Sequence, residues 1–200
     1  MPINKKTRSF VIGLTGSIGM GKSETAKLFA AEGIAVFDAD AVIHDLYAGE
    51  AAAMIEAAYP GTTKNGVVDR AALSKALGSE AGALARLEGL MHPLVAERRE
   101  QFLAKGSAPI VLLDIPLLLE TGTIVDAVVV ATAPEDVQLA RVLARPGMTE
   151  AKFQALKARQ MSDAQKRAQA DYIVVTDKGL DHAREQVKMI LADVRAKLNA

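Results

Sequence analysis

Apolar residues along this chain gather into five short runs, at 10–14, 34–37, 110–115, 127–131 and 172–175, rich in Val and Ile and nearly unbroken by polar positions. Alternation would mark strands with one wet face, whereas continuous runs mark strands covered on both faces, as in a parallel sheet. Segments with helical spacing separate the runs. The pattern therefore predicts an α/β fold, a five-stranded parallel sheet layered between helices with right-handed crossovers. Two intervals are too long for simple crossovers. The first, 41–105, reads as helices over 41–47, 51–58, 70–77, 80–90 and 93–105, with turns at Pro60-Gly61-Thr62 and Lys64-Asn65-Gly66. We expect a helical insert there, forming one wall of a cleft. The second, 141–169, reads as a pair of amphipathic helices, and 180–198 as a closing amphipathic helix. The whole is expected to be a single domain, with a core from about 8–40, 106–140 and 170–200, an insert at 41–105 and a lid at 141–169.

Composition narrows the function classes. With 50% hydrophobic content, the 200 residues can bury a full core. The 24 basic and 24 acidic residues cancel, so no global field draws the chain to nucleic acid or to an anionic membrane. No apolar run approaches the roughly 20 residues of a membrane span. The basic stretch Lys5, Lys6, Arg8 precedes an apolar segment too short for a signal sequence and broken by Gly13. The absence of cysteine excludes disulfides and thiolate metal sites and suits a reducing cytosol. A cytoplasmic protein is expected, without nucleic-acid or membrane partners; nothing in the sequence sets its oligomeric state.

Directly after the first run stands Gly16-Ser17-Ile18-Gly19-Met20-Gly21-Lys22-Ser23, which fits G-x-x-x-x-G-K-[ST] between a strand and a helix. Glycines let the backbone curl so that successive N–H groups, those of Gly16, Gly19, Met20, Gly21, Lys22, Ser23 and Glu24, face phosphate oxygens, and the helix dipole adds positive charge at the same spot. Lys22 reaches the β/γ-phosphates and the Ser23 hydroxyl ligates Mg²⁺. The pattern predicts a nucleoside triphosphate site on a three-layer phosphate-loop fold.

Other residues suggest an acceptor side. In Asp38-Ala39-Asp40, an extended backbone would point both carboxylates the same way, into one cleft at the carboxyl end of a strand, where they could orient and deprotonate a hydroxyl. The alternative is an Asp pair capping a helix from residue 41. Asp114, inside the third run, stands where a phosphate-loop enzyme carries an acid for Mg²⁺ or its waters; a strand-end Asp bonding loop amides is the other reading. Between Arg141 and Arg167 there are seven Lys/Arg against Glu150 and Asp163. That bias fits solvated helix faces or a lid closing over phosphates. The histidines (His44, His92, His182) have no zinc-ligand spacing, and His92-Pro93 reads as an interhelical turn.

Together these residues resemble the dephospho-coenzyme A kinase family. The resemblance covers nearly the whole chain and rests on residues 13–23, Asp38-Ala39-Asp40, Asp69-Arg70 with Leu73, His92-Pro93-Leu94-Val95 and Pro116-Leu117-Leu118-Leu119-Glu120-Thr121-Gly122. It continues through 141–145, Gln160, and Arg167 ahead of Ala170-Asp171. It implies transfer of the ATP γ-phosphoryl group to the ribose 3′-hydroxyl of dephospho-coenzyme A, the last step of coenzyme A synthesis. By matching position, it implies Asp40 as the base, Asp38 in support and Lys22 on the transferring phosphoryl group. Ser23 would hold Mg²⁺, Arg145 and then Arg141 would neutralise charge, and His92 would lie near the acceptor. Ser17, Met20 and Glu24 depart from the usual loop, His44 stands where many members carry Arg, and 175–179 replaces a shorter segment. The competing readings are a kinase for another small molecule and a guanine-nucleotide switch. The switch's Asn-Lys-x-Asp and Asp-x-x-Gly segments do not occur in the sequence.

Overall fold

The structure, a computed structural model, describes residues 8–105 and 108–199. Lys5, Lys6 and residues 106–107, where the sequence placed part of the basic stretch and the return to the core, lie outside the described residues. The elements follow in the order β1 (Phe10–Thr15), α1 (Lys22–Ala31), β2 (Ala35–Asp38), α2 (Ala39–Tyr47), α3 (Ala51–Ala58), β3 (Thr63–Lys64), β4 (Val67–Val68), α4 (Arg70–Ser79) and α5 (Ala83–Lys105). Then come β5 (Ile110–Asp114), β6 (Ala127–Thr132), α6 (Glu135–Leu143), α7 (Glu150–Lys157), α8 (Asp163–Ala168), β7 (Tyr172–Val175) and α9 (Leu180–Leu198). The chain divides into two compact units, one from Met1–Phe37 and Ser107–Ala200, the other from Asp38–Gly106.

The first unit carries the expected five-stranded sheet, in the order β2-β5-β1-β6-β7. β1 runs parallel to both β5 and β6, pairing Leu14 with Asp114 on one side and with Val129 on the other, and β6 runs parallel to β7. Every residue of β5 is buried, as unbroken apolar runs demand when both faces are covered. One face packs against α1 and α9. Ala183, Val187, Ile190, Leu191 and Val194 are the buried positions of α9, the three-and-four spacing of a single helical stripe. They join Phe29 of α1 and Ile12, Leu112 and Val129 of the sheet in one apolar core. α1 stops abruptly because Gly33, at φ +81°, turns left-handed. Its N–H then donates to the Ala30 carbonyl at 3.0 Å and that of Ile34 to Phe29 at 3.2 Å, closing a Schellman turn that feeds the chain into β2.

The second unit has its own core of Leu46, Ile55, Tyr59, Leu87 and Met91. It departs from the sequence reading in two ways. The turn residues at 64–66 belong to an antiparallel hairpin of β3 and β4, with Asn65 at φ +52° and Gly66 at φ +75°; Asn-Gly supplies the two left-handed residues such a turn requires. And His92-Pro93 is not an interhelical turn, for α5 runs unbroken through Pro93. The proline costs one helical N–H and crowds the carbonyl four residues back. Leu87 and Met91 before it are buried, and Leu94 and Val95 after it pack on the same cluster, so tertiary burial carries the helix across a local breaker.

Candidate active site

The phosphate loop leaves the sheet at Thr15 and re-enters regular structure at Lys22. Gly21, at φ +89°, is the N-cap of α1, and no side chain caps that end. The amides of the first helical turn therefore have no intrahelical acceptor and face outward as donors, with the dipole behind them. Two close approaches require glycine. A Cβ on Gly16 would lie 2.7 Å from the Ala131 carbonyl oxygen, and one on Gly21 would lie 2.9 Å from Thr176 Oγ1. Met20 donates its N–H to the Ser17 carbonyl at 3.1 Å and buries its side chain, where Sδ accepts the Ala133 N–H at 3.2 Å. It shapes the loop from inside, its amide already committed to the turn.

Lys22 Nζ lies 2.6 Å from Asp114 Oδ1. The partnership joins the first residue of α1 to the last of β5, and Asp114 is only 3% exposed. A carboxylate so far out of water needs such a partner. Ser23 is exposed beside it in the first turn. Glu24 is exposed as well and pairs with Lys27 at 2.7 Å, so its charge is answered along its own helix.

α6 and the last strand's exit brace the loop. The buried Gln138 side-chain amide donates to the Ile18 carbonyl at 2.8 Å. Arg141 donates to Thr176 Oγ1 at 2.9 Å and to the Thr176 carbonyl at 2.8 Å. Thr176 Oγ1 in turn donates to the Met20 carbonyl at 2.9 Å. Arg145, in the bend after α6, is exposed. The sequence reading had no signal for Gln138, and it named Thr176 only as a departure from the family pattern.

The basic segment is neither wholly a solvated face nor wholly an exposed lid. Lys166 of α8 is fully buried, with Nζ 2.7 and 2.9 Å from the two carboxylate oxygens of Glu120. Burial pushes the Glu120 carboxyl up, but the Lys166 ammonium and the Met161 N–H outweigh it and hold the group below the ordinary glutamate value. Nothing in the local pattern set Lys166 apart from its exposed neighbours.

Asp38, Asp40 and His92, the residues expected on the acceptor side, lie in the second unit. Asp38 and Asp40 do not share an extended backbone: the helix starts at Ala39, Asp38 is its N-cap and accepts the Ala41 N–H at 3.0 Å, and Asp40 stands in the first turn. The notion of two carboxylates projecting together from a strand is thereby corrected, because an aspartate at the N-cap meets an unsatisfied helix amide more readily than it stays extended. Asp40 is exposed and shares a helix face with His44, four residues on. His44 Nδ1 accepts from Arg70 at 2.6 Å, so a guanidinium stands at this position although the residue itself is His. The Arg70 guanidinium also lies over the Tyr47 ring, 5.8 Å from its centroid; burial raises the Tyr47 hydroxyl above its ordinary value, against the opposing pull of Arg70. His92 is exposed on α5. Among the described residues no helix is long and apolar enough to cross a membrane, and no cluster of three or more His, Cys, Asp or Glu could hold a metal alone.

A parallel sheet whose first strand delivers a glycine loop, a lysine and an uncapped helix end defines a phosphate-loop kinase fold. The model of the dephospho-CoA kinase family matches residues 10–182, and the chain belongs to that family. It is 54% identical over 187 residues to a dephospho-CoA kinase of Rhodopseudomonas palustris, covering 91% of this chain and 94% of the relative. Among solved structures, a Thermus thermophilus protein is 30% identical with TM-score 0.82, covering 94% of this chain and 98% of that one. A dephospho-CoA kinase from Campylobacter jejuni shares the fold at TM-score 0.65 and 21% identity, over 93% and 97% of the two chains.

Proposed function

We propose that this chain transfers the γ-phosphoryl group of ATP to the ribose 3′-hydroxyl of dephospho-coenzyme A, giving coenzyme A and ADP. The observation that carries the reading is the Lys22–Asp114 pair at the uncapped start of α1. An ammonium and a set of open amides meet there, beside a buried acid that the lysine pairs. On this reading Gly16, Gly19, Gly21, Lys22, Ser23 and Glu24 contribute backbone amides to the polyphosphate, while Met20 fixes the curl. Lys22 follows the γ-phosphoryl group. Asp40 orients the 3′-hydroxyl and takes its proton as the oxygen bonds to phosphorus and the bond to the β-phosphate oxygen breaks. Asp38 holds the start of α2, and His92 lies on the acceptor side. Arg145 answers the charge that develops on the phosphoryl oxygens, and Arg141 keeps the loop and the 175–179 segment together. Positioning and electrostatics supply most of the rate in such a reaction.

A magnesium ion accompanying the nucleotide would supply charge neutralisation. The Ser23 hydroxyl and the Asp114 carboxylate are hard oxygen donors that suit it, with water and phosphate completing the shell. We place the helical unit, 41–105, on the acceptor side, the segment 141–169 as a lid, and the enzyme in the cytoplasm, without nucleic-acid or membrane partners.

The test is ADP release with dephospho-coenzyme A as acceptor, with and without Mg²⁺, for the native chain and Asp40→Asn. We expect acceptor- and Mg²⁺-dependent turnover. In the variant it should fall roughly 10²–10⁴-fold with ATP affinity kept. Turnover unchanged by the substitution removes Asp40 from the base role, and no acceptor dependence removes the reaction.

A further inference from the structure

Lys166 has no solvent exposure at all. Besides the two Glu120 oxygens, its Nζ has Thr15 Oγ1 and the Pro116 carbonyl at 3.5 Å. A buried ammonium must be paired, and here the pairing does more than offset its burial. What it does is fix one carboxylate. Glu120 Oε1, gripped by Lys166, also accepts the Met161 N–H at 2.9 Å. The Gln160-Met161 segment then reaches the phosphate loop twice. The Ile18 N–H donates to Gln160 Oε1 at 3.1 Å, and the Ser17 hydroxyl donates to the Met161 carbonyl at 3.4 Å. A second tie holds the same helix, for Thr132 Oγ1 lies 2.9 Å from both carboxylate oxygens of Asp163, and Ser162 and Gln165 form a capping box at its start.

We propose that Lys166 is a positioning residue for nucleotide binding. Through Glu120 and the Gln160-Met161 segment it sets the curvature of the loop at Ser17 and Ile18. This rests on reading residues 16–23 as the ATP site. Without the ammonium, Glu120, an exposed residue, loses the charge that holds its carboxylate in place. It turns to water, and the Met161 N–H loses its acceptor. The loop amides then lose their preset aim, and misplacement of about 1 Å can cost up to about 10²-fold in such a site.

The experiment measures ATP affinity in the presence of Mg²⁺, together with the KM for dephospho-coenzyme A, in Lys166→Met, Gln160→Ala, the double variant and Lys22→Ala. Lys166→Met removes one partner of the pair and is expected to fold but melt below the native temperature, while ATP affinity falls about tenfold or more and acceptor KM holds. Gln160→Ala, which leaves the Lys166–Glu120 pair intact, should weaken ATP in the same direction. The double variant should be no worse than the weaker-binding single, because both break one linkage. Native ATP affinity in a folded Lys166→Met, or additive losses in the double variant, overturns the proposal. If Lys166→Met does not fold, Gln160→Ala decides: weakened ATP with unchanged acceptor KM supports the linkage, and native affinity overturns it. Lys22→Ala separates the two levels. Should it also bind ATP normally, the reading of the loop fails; should it alone lose ATP, only the Lys166 linkage fails.

Discussion

Arg141 and Arg145 sit one turn apart in a segment that sequence treats as uniformly basic, yet their surroundings assign them different work. Arg141 spends its guanidinium on Thr176, so its loss should loosen the loop through a neighbour. Arg145 is exposed, and the work proposed for it is to answer the charge of a bound phosphoryl group. Arg145→Ala is expected to lower kcat by roughly 10²–10³-fold with little change in acceptor KM, measured by steady-state kinetics; a change confined to KM assigns it to binding. Gly16 makes a residue-scale prediction of another kind. The Cβ of Gly16→Ala would meet a backbone carbonyl at 2.7 Å, which cannot swing aside as a side-chain tip can. Overpacking of this sort costs about 1–3 kcal/mol, read as a lower denaturant midpoint.

Helix α8 is short, and an isolated helix of that length would not hold itself in water. Its order comes from the Ser162 capping box, the Thr132–Asp163 tie and the Lys166–Glu120 pair. That gives the element a pH signature. Because the Glu120 carboxyl is held below its ordinary value of 4.5 in the folded chain, its contribution is complete above that value. It is lost as the pH falls through the lowered one. Melting temperature followed from pH 7 downward should show an acid limb that flattens in Glu120→Gln; an identical limb in the variant means the pair does not govern acid stability. Elements also set how far sequence could see. The boundaries of α3 and the stripe of α9 follow from local spacing. The hairpin at 63–68 did not, since two-residue strands leave too little alternation to register. α5 did not either, since a proline argues for a break wherever burial is not yet known.

In the whole molecule, two apolar clusters hold the two units. Leu191 of α9 has no exposure and lies in the cluster beneath the sheet. Leu191→Ala should lower global stability by about 2–5 kcal/mol, measured by chemical denaturation; a cost below about 1 kcal/mol means α9 is not part of the cooperative core. The sequence by itself determined the five strands of the parallel sheet, the glycine loop with Lys22 and Ser23, the family, and the acid at the end of β5. Each of these is written in neighbouring residues, as a period or a fixed spacing, so local chemistry suffices to read it. Only the tertiary structure decided that Lys22 meets Asp114, that Lys166 is buried against Glu120, and that Gln160 and Met161 touch the loop. Those partners lie 46 to 144 positions apart in the chain. Over such separations no periodicity survives, and only the packing of the sheet brings the groups within bonding distance.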